Sequence, residues 1–229
     1  MALAAVTGLA AEATIARRAG LRAAAAGGGG TRIASLIAGL IAEGANGLVS
    51  FGICGGLDPA LASGSLLLPL AVREETGARL PVDRAWHAAV AAALAEAGIA
   101  AATGDLLGAA APAATPERKR ALHAGGAVAV DLESHFVAQA ARAARLPFLV
   151  LRAVADPAAR RLPPAALAGL DDEGHAALGP VLQSLWRQPA QLPALVQIAC
   201  ETKAALRALR RAAPLLGRVA IPASASLVN

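Results

Sequence analysis

Aromatic side chains make up only 2% of the 229 residues, which removes the stacking platforms that hold single-stranded nucleic acid. The basic residues are nearly all arginine and scattered, apart from Arg207, Arg210 and Arg211. A net charge of +5 spread in this way describes a solvated face, or one that meets an anionic membrane surface, rather than a nucleic-acid groove. Cysteine is as scarce. Cys54 and Cys200 have neither metal-ligand nor redox spacing and are expected as buried free thiols. His87, His123, His135 and His175 also lack a second ligand at metal spacing, so no metal site is expected. Ser50, Ser63 and Ser134 stand outside any Gly-x-Ser-x-Gly elbow. Long apolar runs are missing too. Although 56% of the residues are hydrophobic, alanine supplies much of that figure, and no stretch of eighteen strongly apolar residues escapes a charge or a glycine. A transmembrane helix is not expected. The opening segment has no positive n-region and is broken by Gly8 and Glu12, so it does not read as a signal peptide, and a cytoplasmic protein is expected.

What the chain does contain is alternation. Short apolar runs at Leu3–Thr7, Leu21–Ala26, Leu48–Phe51, Leu66–Leu70, Ile99–Thr103, Val128–Val130 and Phe148–Leu151 read as strands. Between them, segments with helical spacing occupy Ala10–Arg18, Thr31–Glu43, Arg84–Ala97, Arg118–His123 and Glu133–Arg145. This order predicts an α/β fold, with a parallel or mixed sheet covered by helices, in one domain over residues 1–229. Residues 157–190 carry five prolines and the turn Gly169–Gly174, and are expected as a surface excursion with one helix at Val181–Arg187. From about 191 to 213, Leu192, Leu195, Val196, Ala199, Leu206, Leu209 and Ala213 mark one face of an amphipathic helix. That helix is expected to pack on the sheet and can also touch a membrane through its basic end.

The segment from Gly126 to Asp156 concentrates the chemistry. It reads as a β-α-β unit of a parallel sheet, and such sheets bind ligands beyond the carboxyl ends of their strands. Asp131, Glu133, Arg152 and Asp156 are expected at those ends. Asp131 reads first as a helix cap. Glu133, expected in the first helical turn, would be held ionised by the free N–H groups there and could accept from a vicinal diol such as that of ribose. Asp156 sits past a strand in apolar company, where burial raises a carboxyl pKa while Arg152 or Arg160 would lower it. A carboxyl able to deliver a proton suits cleavage of a purine N-glycosidic bond, because the base leaves well once a ring nitrogen is protonated. Glu12 could then orient or deprotonate water. Upstream, Gly27–Gly30 precede a helix, so Gly28, Gly30 and Arg32 form either an anion cradle or a plain flexible turn, with equal support for each.

These residues resemble motifs of the purine and uridine phosphorylase superfamily. Ala129-Val130-Asp131-Leu132-Glu133-Ser134 resembles its Val-Glu-Met-Glu segment, and Phe148–Asp156 its Pro-Phe-x-x-x-Arg-x-x-Ser-Asp segment. Gly52–Gly56, Gly104-Asp105 and Gly8–Glu12 resemble three of its turns, in the same order along residues 3–156. Within it, Gly52–Pro59, Asp131–His135, Ala155–Ala158 and Leu162–Leu167 resemble the hopanoid-associated branch. The resemblance implies a three-layer α-β-α nucleoside phosphorylase-like fold with a central mixed sheet, in a homo-oligomer. It further implies cleavage of an adenosyl compound, adenosylhopane in that branch, with release of adenine by water or by phosphate as co-substrate and with no other cofactor. Asp156 would be the acid at the purine, Glu133 the partner of the ribose diol and Glu12 the group near the nucleophile. Leu132, Asp131, Cys54, Gly55 and Leu107 would lie at the substrate. Methylthioadenosine or S-adenosylhomocysteine cleavage, general purine nucleoside phosphorolysis, and a non-catalytic nucleoside-lipid binding protein are the alternatives. Ile53, Ala155, Leu106 and Leu107 stand where the family carries more polar or aromatic residues. These replacements suit a lipid-linked substrate that would bring the protein to a membrane.

Overall fold

Strands and helices follow one another in the computed structural model, which describes residues 3–27, 30–167, 183–184 and 186–221. In chain order they are β1 (Leu3–Thr7), α1 (Ala10–Arg18), β2 (Arg22–Ala25), α2 (Gly30–Ala42), β3 (Gly47–Gly56), β4 (Leu66–Leu67), β5 (Ala71–Glu74) and β6 (Arg79–Pro81). After these come α3 (Arg84–Glu96), β7 (Ala101–Ala102), β8 (Asp105–Gly108), α4 (Pro116–Ala124), β9 (Ala127–Asp131), α5 (Ser134–Ala144), β10 (Phe148–Asp156), α6 (Pro164–Leu167) and α7 (Leu192–Arg218). Local signals explain several boundaries. Asp83 accepts the Trp86 N–H at 2.9 Å and starts α3, while Thr115 accepts the Arg118 N–H at 3.2 Å and, with Pro116 at the first helical position, starts α4.

The strands form one mixed ten-stranded sheet in the order β6-β5-β8-β9-β3-β10-β4-β7, with β1 beside β3 and β2 beside β1. Its centre is β10, buried along almost its whole length, and α5 and α7 pack against it. Val49, Phe51, Leu149, Leu151 and Val154 are fully buried there, as a strand covered on both faces requires.

The long strand β3 organises the site. Along one edge it pairs in parallel with β10, from Leu48 opposite Phe148 to Gly55 opposite Asp156. Along the other edge its partner changes. Residues 47–50 pair in parallel with β1, whereas Gly55 and Gly56 pair antiparallel with Val130 and Ala129 of β9. Between Ser50 and Gly55 that edge has no strand beside it, and the notch so formed is the floor of a cavity.

Several expectations need correction. The unit β9-α5-β10 is not a parallel pair, because β3 lies between the two strands and β9 runs against it. A doubly buried strand has the same apolar pattern in either direction, so periodicity cannot assign one. Arg152 stands in the middle of β10 rather than at its end. The strand expected at Leu48–Phe51 runs on through its glycines to Gly56, and Asp105 opens β8 rather than closing the strand before it. The antiparallel pair β5–β6 carried no signal that the reading used. In α7 the packed face holds Ala205, Leu209, Ala212, Ala213 and Leu216, while Leu192, Val196 and Cys200 are exposed. Among the described residues no helix is long and apolar enough to cross a membrane. Of the helix expected at Val181–Arg187, residues 183–184 and 186–187 are helical; residues 181, 182 and 185, the turn at Gly169–Gly174 and His175 lie outside the described residues.

Candidate active site

Glu12 fills the notch in β3. It projects from the first turn of α1 with 1% of its surface exposed, and its two carboxylate oxygens accept the N–H groups of Leu9 at 2.8 Å and Ile53 at 2.7 Å. The Ile53 amide belongs to the stretch of β3 without a strand on that edge, so the side chain satisfies a donor the sheet leaves over. Burial pushes the Glu12 carboxyl above its ordinary range, against the pull of Arg152. Gly52 makes the fit possible. A Cβ there would lie 2.6 Å from Arg152 Nη1 and 2.7 Å from Glu12 Oε1.

Arg152 gathers the acids. Its guanidinium is buried, with Nη2 2.6 Å from Asp131 Oδ2, 2.7 Å from Ser50 Oγ, 3.2 Å from Ser134 Oγ and 3.4 Å from Glu133 Oε2. Asp131 acts as the expected cap, accepting the Ser134 N–H at 3.1 Å as well as its hydroxyl, and is also the nearest ion partner of Arg152. Glu133 differs from its expectation. It occupies the position just before α5, makes no capping bond, and keeps 13% of its side-chain surface exposed. Burial pushes its carboxyl up to about 8, with Arg152 opposing and Asp131 and Glu12 reinforcing the rise. Burial, reinforced by these two acids, outweighs any help from the helix terminus. Gly8 leaves room for this carboxyl, since a Cβ there would lie 2.7 Å from Glu133 Oε1.

Asp156, at the end of β10, has a partner the sequence reading missed. Lys119 comes from α4, fully buried, and donates to Asp156 Oδ2 at 2.6 Å, to the Asp156 carbonyl at 2.9 Å and to the Pro157 carbonyl at 2.9 Å. Burial raises the Asp156 carboxyl above its usual range while Lys119 pulls it down. The arginines expected beside it are elsewhere: Arg152 faces Asp131 and Glu133, and Arg160 pairs with Glu201 of α7. A signal for Lys119 did exist, since it is one of only two lysines in a chain that otherwise uses arginine.

These groups line one cavity of about 180 Å³. Its acidic wall carries Glu12, Asp131, Glu133 and Asp156 with Arg152, and Cys54, Gly55 and Leu132 lie among them. The remainder is apolar, formed by Leu9, Ile53, Pro112, Ala113, Val130 and Leu162. Burial raises the Cys54 thiol far above its ordinary range, so it stays protonated and is no nucleophile. Leu107 does not line the cavity but is packed behind it, with Leu57, Ala113 and Val130. Among the described residues of the glycine run, Gly27 lines the cavity and Gly30 opens α2; Gly28 lies outside the described residues, and Arg32 is exposed on that helix and does not line the cavity. Among the described residues no group of three or more His, Cys, Asp or Glu is placed to hold a metal ion.

A family model described as the phosphorylase superfamily matches residues 24–178, more than half of the chain. The chain belongs to the phosphorylase superfamily. Solved structures share its fold. The 5'-methylthioadenosine/S-adenosylhomocysteine nucleosidase of Neisseria meningitidis, solved with methylthio-immucillin-A, superimposes with a TM-score of 0.71 at 18% identity, over 95% of this chain and 98% of that one. The corresponding enzyme of Helicobacter pylori gives 0.66 at 17% identity, over 82% and 98%. Futalosine hydrolase of Helicobacter pylori gives 0.65 at 15% identity, over 88% and 98%. A search of curated protein sequences finds no match. In this superfamily member the cavity brings together, from three separate segments of the chain, three acids whose pKa values burial has raised, Glu12, Glu133 and Asp156, and a fourth, Asp131, that pairs with Arg152.

Proposed function

We propose that the protein cleaves the N-glycosidic bond of an adenosyl compound with an apolar 5' substituent, adenosylhopane in the reading the sequence motifs favour, and releases adenine. One observation carries this: Asp156, with its pKa raised, and Glu12, bonded to the Ile53 amide, face one cavity together with Glu133. Asp156 protonates the purine so that the base departs, Glu133 accepts from the ribose diol, and Glu12 takes a proton from the attacking water. Water is favoured over phosphate by the charges present. Arg152, the cation nearest Glu12, is already engaged by Asp131 and Glu133, and a phosphate dianion would enter beside three carboxyl groups. Leu9, Pro112, Ala113 and Leu162 offer the apolar surface that a lipid chain needs.

The test is chromatographic detection of adenine after incubation with adenosylhopane and, separately, with 5'-methylthioadenosine, each with and without phosphate. Adenine from adenosylhopane in the absence of phosphate is the expected result. Dependence on phosphate, with a ribose 1-phosphate product, would replace water by phosphate as nucleophile. Preference for methylthioadenosine would replace the lipid by a small thioether, and adenine from neither would overturn the reading.

A further inference from the structure

A fully buried lysine is uncommon, and Lys119 is buried with each of its three donors used. Its acceptors are Asp156 Oδ2 and the carbonyls of Asp156 and Pro157, at 2.6, 2.9 and 2.9 Å, all at the end of β10. An ammonium satisfies all three acceptors, whereas a neutral amine would turn a lone pair toward one of them. The setting is therefore built for the charged form. Only this one side chain of α4 is buried, so the helix contributes little to the core besides this contact.

We propose that Lys119 is the positioning residue of the general acid: it anchors Asp156 through Oδ2, leaves the proton on Oδ1 for delivery into the cavity, and balances the negative charge that remains when the proton departs. This rests on the reading of the reaction given above. The proton passes from Oδ1 to a purine ring nitrogen, and the glycosidic C–N bond breaks with its electron pair going to the base. The oxygen of water bonds to the sugar carbon and its proton passes to Glu12, while Lys119 keeps all its own protons. A cation 2.6 Å from the newly ionised carboxylate stabilises charge where it develops, in a site already shielded from water. Besides Lys119, the groups that act on Asp156 are its own backbone N–H, which lowers its pKa, and Glu201 from α7, which raises it.

Lys119→Met separates this role from simple support of the fold. Removing the cation raises the pKa of Asp156, so the alkaline limb of the kcat/KM profile for adenine release is expected to move up by about one pH unit or more. At pH 7 kcat is expected to fall by about 10- to 100-fold with KM within about threefold. An unmoved limb, or kcat within twofold of the parent, overturns the proposal. Should Lys119→Met fail to fold, the unsubstituted protein answers the question by NMR. With only two lysines, ¹⁵N-lysine labelling gives two Nζ signals. The Lys119 signal is expected to shift with the same inflection as the kinetic profile and to lose that shift in Asp156→Asn. A pH-independent signal overturns the pairing, whereas absence of adenine from the unsubstituted protein counts against the reaction itself.

Discussion

Replacing Arg152 with methionine removes the guanidinium on which Asp131 and Glu133 converge, 2.6 and 3.4 Å away, and whose charge lowers the pKa of Glu12. Methionine fills much of the space but returns none of the charge, so the acids are left in a buried setting without their cation. Breaking a buried pair from one side costs about 3–5 kcal/mol. For a chain of this size each kcal/mol lowers Tm by about 2–4 °C, so a fall of roughly 10 °C is expected near pH 8. The pH dependence follows from the directions of the shifts. Glu12 and Glu133 are already raised above 4.5 by burial, and both rise further once Arg152 no longer opposes it. A carboxyl raised in the folded state stabilises the fold below its unfolded pKa, and that contribution is lost as pH climbs through the folded value. The gap between variant and parent should therefore be smallest at the acid end and widen as pH climbs through the Glu133 value of about 8. Scanning calorimetry from pH 5 to 8.5 measures it. A fall below about 3 °C at pH 8, or one that does not change with pH, would refute the account of the cluster.

Asp156→Asn keeps the shape but cannot give up a proton, so kcat for adenine release should drop by about 10²–10⁴-fold while the melting profile and KM stay near those of the parent; a drop below tenfold would remove Asp156 from the acid role. Gly52→Ala drives a methyl to within 2.6 Å of Arg152 Nη1 and 2.7 Å of Glu12 Oε1, so it should cost about 1–3 kcal/mol in a denaturant melt and about 10²-fold in kcat. Retention of both values would show that the Glu12 carboxylate need not stay where it is. Glu133→Gln should lower kcat/KM by about 10- to 100-fold for a ribose substrate and much less for its 2'-deoxy counterpart. Equal losses on the two substrates would mean that Glu133 does not hold the diol.

How the sequence reading fared depended on what kind of signal each residue carries. Helices were readable to within a few residues because their spacing is local, as α1, α3 and α5 show. Glu133 and Asp156 could be singled out because each follows the end of an apolar run, where an α/β sheet presents side chains to a ligand, and Glu12 because its segment resembles a family turn. Strand direction was not available for β9, and neither was the partner exchange along β3, because pairing depends on residues more than seventy positions apart. Lys119 was passed over because α4 reads as a polar surface helix, and nothing local marks the one side chain that turns inward. Leu107 differs in the opposite way. It has the right apolar character and the right neighbourhood, yet it packs with Val130 and Ala113 and is not in the cavity wall, a distinction that no linear pattern carries.

The partner exchange along β3 also sets the order in which the protein can become competent during synthesis. Its first neighbour, β1, is made early and its second, β9, more than a hundred residues later, while β10 must still be added on the other edge. Contacts of such long sequence separation form late and slowly. A nascent chain can therefore build the Glu12 end of the notch well before Asp156 exists, and the full set of acids waits for β10 to leave the ribosome.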